Sequence, residues 1–309
     1  MFSFGKDFKI TIFGASHDAC IGVIVEGIPA GTKIDVDKIK LALDRRRPSL
    51  STETARVESD EFSLISGLQN GMTTEAPLLI AIINEDVKKN DYDELIEKFR
   101  PGHADYSKFI KYSGNAFSTG GGIFSGRMTV AIVVAGEISR QINDFKVESD
   151  IVFADEGTGS NIKLIAKNIN PGLGEPFFDS VESCISHLMF SIPSVKGIVF
   201  GNILNNYKKT SLEVVDEFYA EDKVIKTKHN YDGGIQGGIT NGMPIELNVF
   251  LKPISSVMAE VNTVDKNFNN TKLRLKGRHD KQIANRVCVV LESVVQIALL
   301  DLYMRARWI

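Results

Sequence analysis

Cysteine is scarce in this 309-residue chain, and the three present, Cys20, Cys184 and Cys288, share no metal-ligand spacing. An odd number without a secretory leader points to reduced thiols, buried as small hydrophobes in a cytosolic protein. The opening MFSFGKDFKITIFGASH carries no basic segment followed by a long apolar run, so neither an export nor an organelle signal is expected. An excess of one charge is also missing. Thirty-six Lys plus Arg against 39 Asp plus Glu leave a net charge of -3, which speaks against nucleic acid and an anionic membrane as partners. Any anion chemistry must come from local clusters of cations. The apolar stretch Val287–Tyr303 is interrupted by Glu292, Gln296 and Asp301, while Val287, Val290, Leu291, Val294, Ala298 and Leu302 share one helical face. An amphipathic core helix is expected there, not a membrane span. Tandem repeats, low-complexity segments and long polar linkers are absent, and 43% hydrophobic residues suffice for a core, so one compact unit over 1–309 is expected. Its weakest joint is placed near residues 145–160. Nucleotide fingerprints are missing as well. GGIQGG does not lie between a strand and a helix with an acid about 20 residues on, and no Walker-type GK[ST] occurs.

What the chain does have is an irregular alternation of strand-like and helix-like segments, an α/β (α+β) pattern. Phe8–Phe13 and Cys20–Val25 are rich in β-branched and aromatic residues, which leaves His17 in the connection between two strands. Asp35 or Asp37 can cap a helix marked by Val36, Ile39 and Leu43 and stopped by Pro48, with Arg45, Arg46 and Arg47 in its last turn. Ala76–Asn84 reads as a strand, and a charged helical stretch ends near Phe99. Gly120–Gly122 precede a helix with a stripe of Ala131, Val134, Ala135, Ile138 and Ile142. Residues 180–191 read as helix; Gly197–Leu204 and Met243–Lys252 read as strands.

Chemistry gathers at the turns. Of five histidines, His17, His103 and His279 sit in turns beside glycines or charges, where an imidazole with a pKa of about 6.5 can move a proton or stabilise a departing anion. Arginines adjoin the same turns: Arg45–Arg47 before Pro48, Arg100 before Pro101, Arg127 after the triple glycine, Arg278 after Gly277. Their planar guanidinium groups match phosphate and carboxylate oxygens. Glycine clusters let backbone N–H groups approach an anion or a flat ring. The residues therefore support an enzyme or binder for a small polyanion, without naming a reaction.

At these turns the chain resembles the chorismate synthase family. The segments that carry the resemblance are FGASHDACIGVIVEGIPAG, LDRRRP, RPGHADY, GGGIFSGR, GLGEPFFDSVES, FSIPSVKGIVFG, GGIQGGITNGMPI, KPISS and GRHD, in that order along the chain. The resemblance implies a sandwich of β and α layers, a homotetramer, and conversion of 5-enolpyruvylshikimate 3-phosphate to chorismate and phosphate with reduced FMN. NADPH is then needed only through a separate reductase. By the same resemblance, His17 faces the flavin, His103 lies near the substrate phosphate, and Asp280 relays the proton lost from the substrate ring. Arg46, Arg127 and Arg278 are the implied clamps for phosphate and carboxylate. Implied flavin contacts are Ser125, Tyr231, Asp232, Gly237, Lys252, Pro253, Ile254, Ser255, Ser256 and Arg278.

The chain also departs from the family pattern. Ala15 and Asp18 flank the Ser-His pair where Glu and Gly are usual, Ile123 stands where arginine or histidine is usual, and Thr52 replaces a basic residue. Asp232 stands where a small apolar residue is usual, Lys281 and Gln282 replace Pro-Cys, and the region from Val147 to Ser160 lacks several tens of residues. Two readings follow: an active, compact member of the family, or a descendant that keeps flavin or anion affinity without turnover.

Overall fold

The computed structural model describes residues 2–47, 58–85, 97–115, 121–275 and 282–306. Alternating apolar residues build its first antiparallel sheet. The strands are β1 (Ser3–Phe4), β2 (Lys9–Gly14), β3 (Cys20–Glu26), β4 (Phe62–Ser66) and, after the short ribbon β5 (Leu68–Gln69) and β6 (Met72–Thr73), β7 (Leu78–Ile83). Their order is β1-β2-β3-β7-β4. The register sets Ile21 opposite Ile82, Val23 opposite Ile80 and Val25 opposite Leu78. All six are at most 1% exposed, so one face of this sheet is core.

The second antiparallel sheet joins β8 (Lys146–Ala154), β9 (Ser160–Lys167), β10 (Val195–Phe200) and, beyond the ribbons β11 (Phe218–Glu221) with β12 (Val224–Thr227) and β13 (Ile235–Gln236) with β14 (Ile239–Thr240), β15 (Ile245–Leu251). Its order is β10-β15-β9-β8. In β15 every second residue is buried, Ile245, Leu247, Val249 and Leu251, which is the period of two that points one face inward. A last ribbon, β16 (Glu260–Val264) and β17 (Asn270–Arg274), follows.

Two long helices fill the space between the sheets. Helix α1 (Val36–Asp44) is capped by Asp35, whose carboxylate accepts from the backbone N–H of Asp37 and Lys38. Helix α2 is Asp105–Lys111, α3 is Thr129–Arg140, α4 is Val181–Met189, α5 is Ile203–Asn206 and α6 is Ala284–Arg305. Helix α3 packs on β2, β3, α1 and α6, while α6 packs on α3, α4, β8 and β9. The result is a sheet-helix-helix-sheet sandwich, as the resemblance implies. At Gly136 of α3 a Cβ would meet the Ser293 Cα and Cβ of α6 at 2.6 and 2.3 Å, so the two helices approach as closely as glycine permits.

Several expectations need correction. Helices α3 and α6 are not amphipathic in the expected sense, because α3 is buried from Thr129 to Ser139 on every side and Ile142 lies beyond its end. In α6 the polar residues expected to face outward are buried with partners. The Glu292 carboxylate takes two hydrogen bonds from Arg45 at 2.6 and 2.7 Å, Gln296 donates to Asn143, and one Asp301 oxygen accepts the backbone N–H groups of Lys6, Asp7 and Phe8. By length and composition α6 is apolar enough to cross a membrane, with mean hydropathy 1.9, yet 83% of that window is buried inside the protein.

The expected weak joint at 145–160 is the β8–β9 hairpin, paired from Lys146 opposite Lys167 to Ala154 opposite Ser160 and packed on α6. The strand expected over Gly197–Leu204 ends at Phe200, and α5 begins at Ile203. Arg45 caps α1, so Arg46 and Arg47 lie past the helix. Pro48 and most of the charged stretch before Phe99 lie outside the described residues.

Candidate active site

Five stretches converge on a cavity of about 610 Å3. They are the Arg100–Asp105 turn leading into α2, the glycine turn 121–126, the approach to β10, the Lys252–Ser256 segment after β15, and the start of α6 with Arg46 beside it. The volume lies within the range of about 300–1,000 Å3 usual for small-molecule sites. Phe124, Phe190, Ile192, Ile254 and Val287 make its walls partly apolar. Two turns need glycine to form. Gly102 has φ of +76°, and a Cβ there would lie 2.9 Å from the Ser255 side chain. Gly121, behind the second turn, is 3.0 Å from the Ser125 Cα by the same measure.

The walls are strongly cationic. Among the described residues, Arg46, Arg100, Lys108, Lys196, Lys252 and Arg286 line the cavity, with Asp105 the single carboxylate. Arg46 is 7% exposed and bonds Thr129 Oγ1 at 3.1 Å, with Asp60 at 3.6 Å. Burial pushes its pKa down to about 10, Asp60 opposing and Arg127 and Arg286 adding, so it is still a cation at neutral pH. Its Nε is buried without a hydrogen-bond partner among the described residues. A buried donor without a partner is uncommon in a folded protein. Lys196 sits where β10 bulges between Val195 and Gly197, a device that re-aims a side chain. Lys252 Nζ donates to Gly102 O at 2.8 Å and Ser255 Oγ at 2.7 Å, which ties the segment after β15 to the Arg100–Asp105 turn.

His103 is the histidine that lines the cavity among the described residues. Nδ1 lies 3.2 Å from Pro101 O and Nε2 lies 3.1 Å from Ser256 Oγ. A carbonyl only accepts, so Nδ1 carries the proton and Nε2 is the atom that gains or gives one. Burial lowers the His103 pKa, and the charges of Arg100 and Lys252 add to that, against Pro101 O and Asp105. A folded-state pKa below the unfolded one means that the unfolded chain binds more protons just below about pH 6.5. The stability held above that pH is lost as pH falls from there toward the lowered folded value. Thermal unfolding of the parent and of His103→Gln between pH 7 and pH 5 checks this: the parent loses more stability on acidification than the variant does.

Of the residues assigned from the sequence, His103, Arg46, Lys252, Ile254, Ser255 and Ser256 line this one cavity. Other expected residues are elsewhere. His17 bonds Ser16 Oγ through Nδ1 at 2.8 Å, and its loop reaches the glycine turn through Ser16 N to Gly122 O, but it does not line the cavity. Ser125 caps the turn before α3 by accepting from Arg127 N at 3.2 Å. Pro253 is outside the lining. Tyr231, whose ring is 5.0 Å from that of His229, Asp232 and Gly237 are likewise outside it.

Arg127 is the clearest correction. Its guanidinium pairs with Asp60 and bonds Asn84 Oδ1 at 3.2 Å, with Glu58 at 3.9 Å, at 7% side-chain exposure. It ties strands together inside the fold and does not line the cavity. Arg278, His279 and Asp280 lie outside the described residues. Sequence reasoning did not assign Arg100, Lys108, Lys196 or Arg286 to the site. Arg100 was signalled by its Pro-Gly turn; the other three look like ordinary surface cations in a sequence.

The family model described as chorismate synthase matches residues 8–153 and 146–304. The chain belongs to the chorismate synthase family. Chorismate synthase of Dehalococcoides mccartyi is 35% identical over 355 positions, covering 99% of this chain and 98% of the relative. Chorismate synthase of Chitinophaga pinensis is 39% identical over 320 positions, covering 97% and 96%. A crystal structure of chorismate synthase superposes with a TM-score of 0.76 at 22% identity, over 98% of this chain and 93% of that one, a likeness of fold. The two matched stretches of the chorismate synthase model overlap in β8, and the Dehalococcoides alignment is longer than this chain.

Proposed function

We propose that this cavity binds 5-enolpyruvylshikimate 3-phosphate beside reduced flavin mononucleotide and eliminates phosphate to give chorismate, a lyase step of the shikimate pathway. The observation that carries the reading is the convergence of six cationic side chains and His103 on one partly apolar cavity in a chain of this family. A substrate with one phosphate and two carboxylates needs that charge, and its ring and enolpyruvyl group need the apolar wall.

The residues present fit a flavin phosphate. Lys252, Ser255 and Ser256 offer an ammonium and two hydroxyl groups on one short segment, and Ile254 an apolar surface for a ring. Bound there, reduced flavin would supply electron density that weakens the carbon-oxygen bond to the phosphate. The protein's own work is electrostatic and acid-base. Arg46 stays charged while desolvated and holds an anionic oxygen through Nε, the donor that lacks a partner among the described residues. A phosphate dianion beside His103 raises the pKa that burial has lowered, so the ring takes a proton at Nε2 and gives it to the departing phosphate. Asp280 is assigned the proton lost from the substrate ring, and His17 the flavin side, on the family resemblance. Tyr231, Asp232, Gly237, Ser125, Pro253 and Arg278 remain assigned to flavin or substrate on that resemblance alone.

We also infer a cytoplasmic homotetramer. Support comes from the free cysteines and from Phe177 and Phe178, exposed by 85% and 93% in the GLGEPFFDSVES segment, where another copy would cover them. No dinucleotide fingerprint occurs, so NADPH acts through a separate reductase. The test is a comparison of three anaerobic mixtures of protein and substrate: with chemically reduced FMN, with oxidised FMN, and with oxidised FMN plus NADPH. Chorismate is expected from the first alone. Sustained product from the third would overturn the need for a separate reductase, and none from the first would overturn the reading.

A further inference from the structure

Every residue from Phe190 to Lys196 lines the cavity, yet the proposed function uses Lys196 only as part of a total charge. The backbone around this lysine is unusual. Ile192, Pro193, Ser194 and Val195 form a turn closed by Val195 N–H to Ile192 O at 3.3 Å. Pro193 holds its first corner and Ser194 its second, with φ of +77°. Glycine is the usual residue at that second corner, because a side chain is disfavoured there. A serine held in this conformation is strain of the kind that collects at ligand sites. The bulge of β10 follows at once: Val195 lies opposite Leu251 and Gly197 opposite Phe250, so Lys196 is the extra residue. Consecutive side chains of a regular strand point to opposite faces. Here Val195 and Lys196 both line the cavity, one buried and the other open to solvent. Turn and bulge together bring this lysine to the ligand's side.

Its neighbour indicates what it meets. Lys252 N–H donates to Ser194 O at 2.9 Å, next to the Val195–Leu251 pair, so the two lysines leave adjoining strand ends into one cavity. The single carboxylate lining the cavity among the described residues, Asp105, is held by Arg100 through both oxygens. Lys252 Nζ donates to Gly102 O and Ser255 Oγ, which uses two of its three N–H groups. Like charges side by side on a sheet destabilise each other, and a shared anion reverses that. We propose that Lys196 is a second lysine at the flavin phosphate, its ammonium and that of Lys252 donating to one phosphate group beside Ser255 and Ser256. The identity of the flavin rests on the proposed function; the pairing of the two lysines on an anion rests on the turn, the bulge and the strand register.

Riboflavin, which has the ring and no phosphate, separates this contact from the rest of the cofactor. Oxidised FMN and riboflavin are titrated into the parent, Lys196→Met and Lys196→Arg, with Lys196→Gln as a second neutral variant should the first fail to fold. A lost charge-assisted hydrogen bond weakens FMN binding by about tenfold or more in the neutral variants. Riboflavin affinity stays within about twofold of the parent in every variant, and Lys196→Arg stays within about threefold for FMN because it keeps the cation. FMN affinity of the neutral variants within about twofold of the parent would overturn the proposal, as would an equal loss for riboflavin. Affinity for the enolpyruvyl substrate is measured in the same variants, and a loss confined to it would move Lys196 to the substrate phosphate and overturn the flavin assignment. A parent that binds neither flavin would overturn this assignment together with the cofactor reading. None of these titrations needs turnover. FMN bound through Lys196 with no chorismate formed would refute the proposed activity and leave this assignment standing; chorismate formed by a parent whose FMN affinity ignores Lys196 would do the reverse.

Discussion

His103→Ala lowers turnover by about 10^2- to 10^4-fold, the loss expected when a positioned proton donor is removed. Flavin affinity changes far less. What the variant takes from the flavin segment is one hydrogen bond, Nε2 to Ser256 Oγ at 3.1 Å, and a single such bond is worth no more than about tenfold in affinity. The two effects are separated by titrating reduced FMN into the variant and then measuring anaerobic turnover at saturating flavin. A turnover loss smaller than tenfold, or a flavin loss as large as the turnover loss, would contradict the role given to His103.

Arg127→Ala acts on stability before it acts on substrate. Removing the guanidinium takes a cation away from Asp60 and Glu58, 4% and 7% exposed at their side chains. Breaking a buried pair in this way costs about 3–5 kcal/mol, a large share of the roughly 5–15 kcal/mol that holds a typical protein folded. Arg46 also lies 3.6 Å from Asp60, so the cavity wall loosens with it. Thermal unfolding reports the result: the transition falls by many degrees or the protein fails to accumulate. An unchanged transition with a raised KM would instead make Arg127 a substrate clamp.

Strands were the most readable part of the sequence, because a period of two survives whenever one face is core. β15 keeps that period over seven residues, and β2 and β3 match the expected runs to within a residue or two. Helices α3 and α6 were harder to read. Both are buried on every side, and the polar residues that suggest an outer face are satisfied by distant partners, as Glu292 is by Arg45. Periodicity reports burial, not the reach of a long side chain across the chain. Arg45, Arg46 and Arg47 make the point within three positions: one binds Glu292, one enters the cavity wall, and one donates to Ser59 O. Nothing local separates them. For the same reason Arg127, a clamp by the family resemblance, is a strut in the fold.

The glycine turns and KPISS were legible because backbone geometry there depends on particular residues. Gly102 must take φ of +76° against Ser255, and the sequence places a Pro-Gly pair there. The departures from the family pattern have uneven consequences. Ile123 lines the cavity and makes it locally apolar. Ala15 is a buried residue whose carbonyl accepts from Asn84, and Asp232 gives its N–H to Asp216 away from the cavity.

The most direct measurement is a single-turnover reaction under anaerobic conditions, in which the protein with reduced FMN is mixed with 5-enolpyruvylshikimate 3-phosphate and both products are followed. Phosphate and chorismate appear together in equal amounts if this cavity performs the elimination. Tight binding of flavin and substrate with neither product formed would contradict it.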